Sequence, residues 1–198
     1  MWVGAYDPDL VAICEMRTLP QSLFLNQIYV AEGAQGSGIG ARLTASAIDF
    51  CMHPAATSLE LDVVDGNDRA HSWYQRLGLT ALSAADWGLR PLVEAKGWSA
   101  LQGLPAADLL QEHYGFSTFN LLTEIRTYTI GRLGTEFFRV MDHRLLDDPG
   151  ALSGLHALDS SRQLLCIRTR MTTDTKWPSF LTGLRMRGPL DIARSRLP

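Results

Sequence analysis

Blocks of alternating or periodically spaced apolar residues fill the first half of the chain and predict a mixed α/β fold. Residues 2–6 and 10–18 have the composition of two strands, and the Asp-Pro-Asp sequence between them favours a hairpin turn. Residues 23–30 are rich in aromatic, β-branched and large apolar side chains, which predicts a third strand. The strict alternation of residues 59–63 predicts a fourth strand with one buried face.

Two helices are predicted beside these strands. Apolar residues recur at helical spacing over residues 39–50, and this helix is expected to end before Pro54. A shorter helix is expected after Asn67, whose side chain suits an N-cap, with Gly78 as its terminator. The first half of the chain therefore combines strands with helices that follow them.

The signals weaken after residue 92. Residues 77–79 resemble residues 114–116, and chance explains this short similarity as well as a degenerate repeat does. The elements predicted in this half are a helix at 105–113, a hairpin of 116–130 with 136–141, a helix beginning at 147–149, a strand at 164–170 and a loosely packed tail from Thr172.

Composition indicates an ordinary soluble globular protein. The 198 residues are 46% apolar and 20% charged, enough for one large domain or two small ones. A formal net charge of −3 does not suggest a nucleic-acid partner, and no apolar run reaches the ~20 residues that cross a bilayer. The three cysteines and five histidines are scattered, and no secretory signal is recognisable. We therefore expect a cytoplasmic protein with no disulfide framework, metal centre or membrane partner.

A glycine-rich hexapeptide between the third strand and the first helix is the most informative segment. Glycines at such a junction allow a tight turn and a close approach of the backbone to a ligand. The first amide N–H groups of a helix lack internal partners and carry partial positive charge, so the junction suits a phosphate group. The hexapeptide is Gln35-Gly36-Ser37-Gly38-Ile39-Gly40.

Two kinds of phosphate site fit this segment poorly. A P-loop requires Gly-Lys-Ser/Thr, and no such sequence follows Gly40. A dinucleotide fingerprint is met by Gly36, Gly38 and Ala41, and Glu60 lies near the distance expected for a ribose-binding acid. That motif, however, follows the first strand of a βαβ unit, whereas a hairpin and a further strand precede it here.

A third interpretation accounts for more residues. The pattern Gln-x-x-Gly-x-Gly after a strand resembles the acetyl-CoA loop of the GCN5-related N-acetyltransferase (GNAT) family, Arg/Gln-x-x-Gly-x-Gly/Ala. That family has a second block, a strand followed by Asn-x-x-Ala-x-x-x-Tyr-x-x-x-Gly-Phe. The matching residues here are Leu61-Asp62-Val63, Asn67, Ala70, Tyr74 and Gly78-Leu79, and the two blocks stand in the family's order within residues 1–92.

The resemblance implies the GNAT fold, an α/β fold whose mixed central sheet splays at the CoA site. Residues 1–93 would form the acetyl-CoA-binding core, and residues 94–198 an additional α+β region that completes the acceptor site or a dimer interface. The family's usual initial strand and two helices do not precede the hairpin. Residues 136–158 show that strand-then-helix order, so a permuted contribution to the acceptor wall is a hypothesis.

The resemblance also implies roles for individual residues. Backbone amides of the loop would hold the pyrophosphate of CoA, and the strand before it would pair with the pantetheine arm. Asn67 would hydrogen-bond that arm, although a simple helix cap explains this residue equally well. The residues implied in binding acetyl-CoA are Ile28, Tyr29, Val30, Gln35, Gly36, Ser37, Gly38, Ile39, Gly40, Ala41, Asn67 and Tyr74.

Tyr74 is the residue implied in catalysis, since a phenol near the sulfur can protonate the leaving thiolate. A core aromatic on a short helix is the alternative interpretation of Tyr74. A general base is harder to assign, because Asn26 and Gln27 on the strand before the loop are not bases. Glu15 is the best-placed carboxylate, and a water-relayed proton would need no carboxylate in contact. The alternative bases are Glu32, Glu60 and Asp62.

The resulting hypothesis is an N-acetyltransferase that moves an acetyl group from acetyl-CoA to a primary amine by direct attack in a ternary complex. The acceptor would be a small-molecule or protein amine, and a homodimer is expected. A non-catalytic acyl-CoA-binding or regulatory module is the first alternative. A nicotinamide-dependent oxidoreductase is the second.

Overall fold

The computed structural model describes residues 1–6, 9–170 and 178–198, and the chain divides into two units. Unit 1 comprises Met1–Ala84 and Gly183–Pro198, and unit 2 comprises Ala85–Thr182. This division differs from the predicted one, which grouped residues 94–198, because the end of the chain pairs with a strand of unit 1. The predicted Asp-Pro turn and the start of the predicted tail fall largely outside the described residues.

Unit 1 begins with an antiparallel meander of three strands, followed by a helix and a strand parallel to the third. The hairpin, the third and fourth strands and both helices predicted for this part of the chain are confirmed. These elements are β1 (Trp2–Tyr6), β2 (Leu10–Thr18), β3 (Ser22–Val30), α1 (Ile39–Cys51), β4 (Ser58–Val64) and α2 (Asp68–Arg76).

The core of unit 1 forms where the apolar stripe of α1 meets the buried face of the strands. Leu43, Ala47 and Ile48 of α1 are buried in one cluster with Met16 and Leu61 of the strands. The strand residues alternate between this core and the outer face, as residues with a period of two must. The alternation read from the sequence therefore placed the core side of β4 correctly.

The last strand and helix of the chain return to unit 1. Residues 183–189 of β11 (Leu181–Pro189) pair antiparallel with β4, and α5 (Leu190–Ser195) follows. Gly188 lies so close to the main chain at Gly78 that a Cβ there would be 2.6 Å from the Gly78 carbonyl oxygen. The predicted loose tail was therefore wrong for residues 181–195. The alternation of Leu184, Arg185, Met186 and Arg187 is the signal from which this strand could have been predicted.

Unit 2 contains a run of paired strands, in which residues 85–90 of β5 pair with β10. The neighbouring strands are in the order β5-β10-β9-β8-β7-β6. The predicted hairpin is a meander of three strands, and β5 and β6 had not been predicted. The elements are β5 (Thr80–Arg90), β6 (Ser99–Gln102), α3 (Leu104–Tyr114), β7 (Phe116–Thr123), β8 (Thr127–Leu133), β9 (Phe137–Val140), α4 (Pro149–Leu158) and β10 (Gln163–Thr169).

The two units repeat one topology. In each, an antiparallel three-stranded meander leads through a 3₁₀ turn into a helix, and the next strand lies parallel to the last strand of the meander. The linking loops, residues 31–38 in unit 1 and residues 141–148 in unit 2, are both eight residues long. Residues 136–158, considered above as a permuted start of the fold, thus form the crossover of unit 2.

Candidate functional site

Strands β3 and β4 of unit 1 lie side by side only at their beginnings. They pair from Ser22 opposite Ser58 to Leu25 opposite Leu61. Residues 26–30 of β3 continue without a β4 partner, although β4 itself extends to Val64. The sheet therefore splays open, as the resemblance implied, and leaves residues 26–30 without a strand partner on that side within the described part of unit 1.

A β-bulge lies where this splay begins. Glu15 of β2 pairs with Gln27 of β3, but the next residue, Met16, pairs with Leu25. Asn26 is therefore the extra residue of β3. Because a bulge bends its strand and increases the local twist, it directs the end of β3 away from β4.

The glycine loop follows directly and presents unpaired amides. Gly36 and Gly38 have φ angles of 82° and 79°, in the left-handed region that favours glycine. Gly38 is the N-cap of α1 and supplies no side-chain cap. Among the described residues, no acceptor receives a hydrogen bond from the backbone N–H groups of residues 36–41. Six consecutive donors are thus available at the positive end of the α1 dipole.

The first turn of α1 packs closely on the free end of β3. A Cβ added at Gly40 would lie 3.3 Å from Cγ2 of Val30 and 3.7 Å from Cδ1 of Ile28. A side chain larger than methyl at this position would therefore separate the helix from the strand. The small residue keeps the loop amides beside the splayed edge.

Polar side chains join the loop to β3 and α2. Gln35 donates from Nε2 to the carbonyl oxygen of Val30 at 3.1 Å, and its Oε1 accepts a hydrogen bond from Arg69 at 2.8 Å. Arg42 donates to the carbonyl of Ser37 at 3.4 Å. Within the described chain, neither arginine forms an ion pair, so both leave positive charge beside the loop. The sequence reasoning did not select these two arginines, although Arg42 follows the loop motif and Arg69 lies within the second block.

Asn67 is the N-cap of α2, and Tyr74 lies on that helix. Oδ1 of Asn67 accepts a hydrogen bond from the amide of Ala70 at 3.2 Å, which confirms the predicted cap. Tyr74 is only 6% exposed, and its ring centroid lies 5.0 Å from that of Trp73. Burial, with a smaller contribution from Cys14, raises the pKa of Tyr74 to about 12. Its phenol therefore keeps its proton at neutral pH.

Glu15 is held by two neighbours on the meander. Arg17 donates from Nε to Oε1 of Glu15 at 2.9 Å, and Asn26 donates to Oε2. Burial opposes ionisation, but these hydrogen bonds lower the pKa of the carboxyl below its ordinary value. Glu15 is therefore an anion at neutral pH and a weak proton acceptor.

The other predicted carboxylates have different surroundings. Arg185 of β11 contacts both Asp62, through two nitrogens, and Glu60, at 3.4 Å. Arg187 lies 3.6 Å from the second oxygen of Glu60. Glu32 is exposed and forms no ion pair within the residues that the structure describes. The arginines of β11 were missed because the strand itself was missed.

Two of the three cysteines behave as the expected buried apolar residues, whereas Cys51 is partly exposed. Cys14 and Cys166 are buried, and burial raises the pKa of each thiol to about 11. In the described part of the chain, no three histidine, cysteine or acidic side chains are grouped so as to hold a metal ion. No helix there has the length and apolar character needed to span a bilayer.

Comparison with known proteins shows which family the sequence of unit 1 resembles. Residues 1–79 match the Acetyltransferase (GNAT) family. A thialysine N-epsilon-acetyltransferase of Bos taurus is 30% identical over 78 residues, which are 39% of this chain and 40% of that protein. An uncharacterized N-acetyltransferase of Bacillus subtilis (strain 168) is 33% identical over 64 residues, 32% of this chain and 36% of that protein. The matches thus span well under half the length of these curated relatives.

Solved structures share the fold over nearly the whole chain. A GCN5-related N-acetyltransferase from Sphaerobacter thermophilus has a TM-score of 0.58 at 11% identity, covering 94% of this chain and 79% of its own. A tandem GNAT protein from the clavulanic acid biosynthesis pathway has a TM-score of 0.58 at 12% identity. The match covers 93% of this chain and 80% of that protein's chain. The sequence match to the GNAT acetyltransferase family covers residues 1–79, within unit 1, and the solved structures support the fold of that family. The resemblance and the fold class expected from the sequence are confirmed.

Proposed function

We propose that unit 1 binds acetyl-CoA at the glycine loop and transfers its acetyl group to a primary amine. The observation that carries this proposal is the row of six free backbone amides in residues 36–41, placed beside the splayed edge of β3. A pyrophosphate fits such a row because it accepts several N–H bonds and is favoured by the helix dipole. Arg42 and Arg69 add positive charge next to it.

The free edge of β3 is suited to the extended arm of the donor. Backbone groups of residues 28–30 would pair with the amide groups of pantetheine as a further strand pairs with a sheet. The arm would then enter between β3 and β4 from the loop, toward the start of the splay at Leu25. A free N–H on this edge is the group available to stabilise negative charge on the thioester carbonyl oxygen.

The chemistry requires one proton donor at the sulfur. In our proposal the amine attacks the thioester carbonyl, the C–N bond forms and the C–S bond breaks. Tyr74 supplies a proton to the departing thiolate, for which its raised pKa of about 12 keeps it protonated. Cys14 is a poor nucleophile because its pKa is raised to about 11, which supports direct transfer over an acetyl-cysteine intermediate.

Three of the four carboxylates considered as bases are poorly suited to take the proton lost by the amine. Glu15 has a lowered pKa, and Glu60 and Asp62 are held by arginine. We propose that this proton leaves through water, with Glu15 acting at most as the final acceptor. Replacing Glu15 with Gln is then expected to change the rate less than tenfold. A loss of a hundredfold or more would instead establish Glu15 as the general base.

The acceptor is proposed to be a small primary amine. The bovine relative is named for thialysine, a small molecule with a primary amine, and it is 30% identical over 78 residues. Thialysine and lysine are therefore the first acceptors to test, beside polyamines, amino sugars and a peptide with a free amine. The expected homodimer and cytoplasmic location stay predictions.

One observation favours a second function, an acyl-CoA-binding module without catalysis. Among the four carboxylates considered as bases, all except Glu32 are engaged by arginine. A binding module needs the loop and the splay but no base, so the same geometry would serve it.

Release of free CoA thiol across the amine panel distinguishes the two functions. We expect at least one amine to accelerate thiol release in the wild-type protein, and Tyr74→Phe to lower that rate about a hundredfold. Tyr114→Phe is the matched control, since Tyr114 is exposed on unit 2. If acetyl-CoA binds but no amine raises the rate above slow hydrolysis, the binding module is the correct function. If calorimetry shows that the protein binds NAD but does not bind CoA, both the transferase and the binding module are wrong.

A further inference from the structure

The crossovers of the two units place different residues at the start of their helices. Gly38 is the N-cap of α1 in unit 1, and Asp148 is the N-cap of α4 in unit 2. The loops before them are equal in length, residues 31–38 and residues 141–148. Asp148 therefore occupies in unit 2 the position that Gly38 occupies in the cofactor loop of unit 1.

The carboxylate of Asp148 already fills the role that an anionic ligand would have. Its Oδ1 accepts hydrogen bonds from the amides of Gly150, at 3.0 Å, and Ala151, at 3.2 Å. Its Oδ2 accepts from the hydroxyl groups of Thr123, at 2.8 Å, and Tyr128, at 3.0 Å. Asp148 is 2% exposed. The first-turn amides that are free in unit 1 are thus bonded to the protein in unit 2.

The space in front of these amides is also occupied by main chain. A Cβ added at Gly97 would lie 2.6 Å from the amide nitrogen of Gly150. A Cβ at Gly150 would in turn collide with the carbonyl oxygen of Trp98. The segment that leads into β6 therefore lies directly on the first turn of α4, where unit 1 leaves its loop open.

The parallel strands of unit 2 do not splay. β9 pairs with β10 from Phe137 opposite Gln163 to Val140 opposite Cys166, which is the end of β9. In unit 1, by contrast, residues 26–30 of β3 have no parallel partner. Within the described part of unit 2, β9 therefore leaves no unpaired residues for a pantetheine arm at the corresponding place.

The negative charge of Asp148 also disfavours the binding of an anionic ligand at the start of α4. Burial opposes its ionisation, but the hydrogen bonds from Thr123, Ala151, Tyr128 and Gly150 outweigh burial and lower the pKa of its carboxyl. The group is therefore an anion at neutral pH. A fixed anion at the helix start repels the pyrophosphate that an open helix start would attract.

We infer that unit 2 is a second copy of the acyltransferase core whose cofactor site is closed from within, so that one chain binds one acyl-CoA molecule, in unit 1. This inference rests on the function proposed for unit 1. The closure consists of the Asp148 carboxylate, the main chain at Gly97 and Trp98, and the complete pairing of β9 with β10.

Calorimetry with CoA and a reciprocal pair of variants tests the inference. We expect the wild-type protein to bind one CoA per chain. Gly38→Asp, which places in unit 1 the carboxylate found in unit 2, is expected to abolish binding, and Asp148→Ser is expected to leave stoichiometry and affinity unchanged. Gly33→Ala is the control in the loop, because a Cβ at Gly33 would meet nothing within 4 Å. Two CoA per chain, or one CoA remaining in Gly38→Asp, would overturn the inference.

Amide hydrogen exchange separates failure of the inference from failure of the proposed function. In the free protein the amides of Gly150 and Ala151 are expected to be protected, and those of residues 36–41 to exchange fast and become protected when CoA is added. If CoA protects nothing, the function proposed for unit 1 is wrong. If Gly150 and Ala151 exchange fast, or become protected only with CoA, the closure of unit 2 is wrong.

Discussion

The guanidinium of Arg69 donates a hydrogen bond to Oε1 of Gln35 at 2.8 Å. Gln35 also donates to the carbonyl of Val30, so one glutamine side chain joins α2, the glycine loop and the end of β3. The glutamine of the loop motif therefore contributes to the shape of the site through its side chain. Gln35 also holds the positive charge of Arg69, a residue of the second motif, beside the backbone amides of the glycine loop.

Removing Arg69 is expected to weaken the binding of CoA about tenfold. Arg69→Ala removes one charge near the phosphate groups and the bond that holds Gln35, and a charged hydrogen bond at an exposed site contributes about 1.5 kcal/mol. Calorimetry at low and at high salt measures the effect, which should shrink as salt screens the charge. Arg76→Ala, at the other end of α2, is the matched control. Equal CoA affinity of Arg69→Ala and Arg76→Ala would contradict this role.

The left-handed conformation of Gly38 predicts a cost for any side chain there. Gly38→Ala is expected to lower the free energy of unfolding of unit 1 by about 1 to 2 kcal/mol, since a Cβ at a φ of 79° is strained. CoA affinity should fall as well, because the loop amides lose their alignment. Urea denaturation checks the first effect, with Gly33→Ala expected to match the wild type because Gly33 has no positive φ and open surroundings. A Gly38→Ala variant as stable as Gly33→Ala would show that the loop relaxes freely.

Tyr74 is predicted to remain a proton donor throughout the neutral and mildly alkaline range. Its pKa is raised to about 12 because burial disfavours the phenolate, so protonation is complete below pH 10 and is lost only as pH rises toward 12. The tyrosinate absorbance of the wild type minus that of Tyr74→Phe should therefore be absent at pH 10 and develop above it. Because folding raises the pKa of Tyr74, its protonated phenol stabilises the folded state at neutral pH. This stabilisation is lost as pH rises toward 12. A full difference signal at pH 10 would mean that Tyr74 is solvated.

Asp148 is predicted to stabilise unit 2 most strongly at neutral pH. Asp148→Ala removes a helix cap and leaves the buried Tyr128 hydroxyl without its acceptor, which costs roughly 2 to 4 kcal/mol. The pKa of Asp148 is lowered by folding, so its contribution is present above the ordinary aspartate pKa and is lost as pH falls through the lowered value. Urea denaturation at neutral and at acidic pH measures both effects. Asp147→Ala, at the exposed neighbouring carboxylate, is the control, and an equally small effect of both variants would contradict the structural role of Asp148.

The sequence by itself determined the elements that depend on neighbouring residues. The meander of β1 to β3, the helix after the glycines and the Asn67 cap follow from periodicity, from glycine conformation and from capping over three residues. The GNAT motifs are equally local, so the family could be identified before any contact was known. Asp148 was placed at a helix start for the same reason, although its burial was not foreseen.

Only the tertiary structure decided which distant segments meet. Arg185 reaches Asp62 across 123 positions of sequence, and this pairing both places β11 in unit 1 and holds a candidate base. The bulge at Asn26, which opens the sheet, arises from the register of two strands and not from the composition of either. The closed loop of unit 2 likewise depends on hydroxyl groups and main chain contributed by other strands and segments. Local patterns specify backbone conformation, whereas register and side-chain pairing are set by packing between segments far apart in the chain.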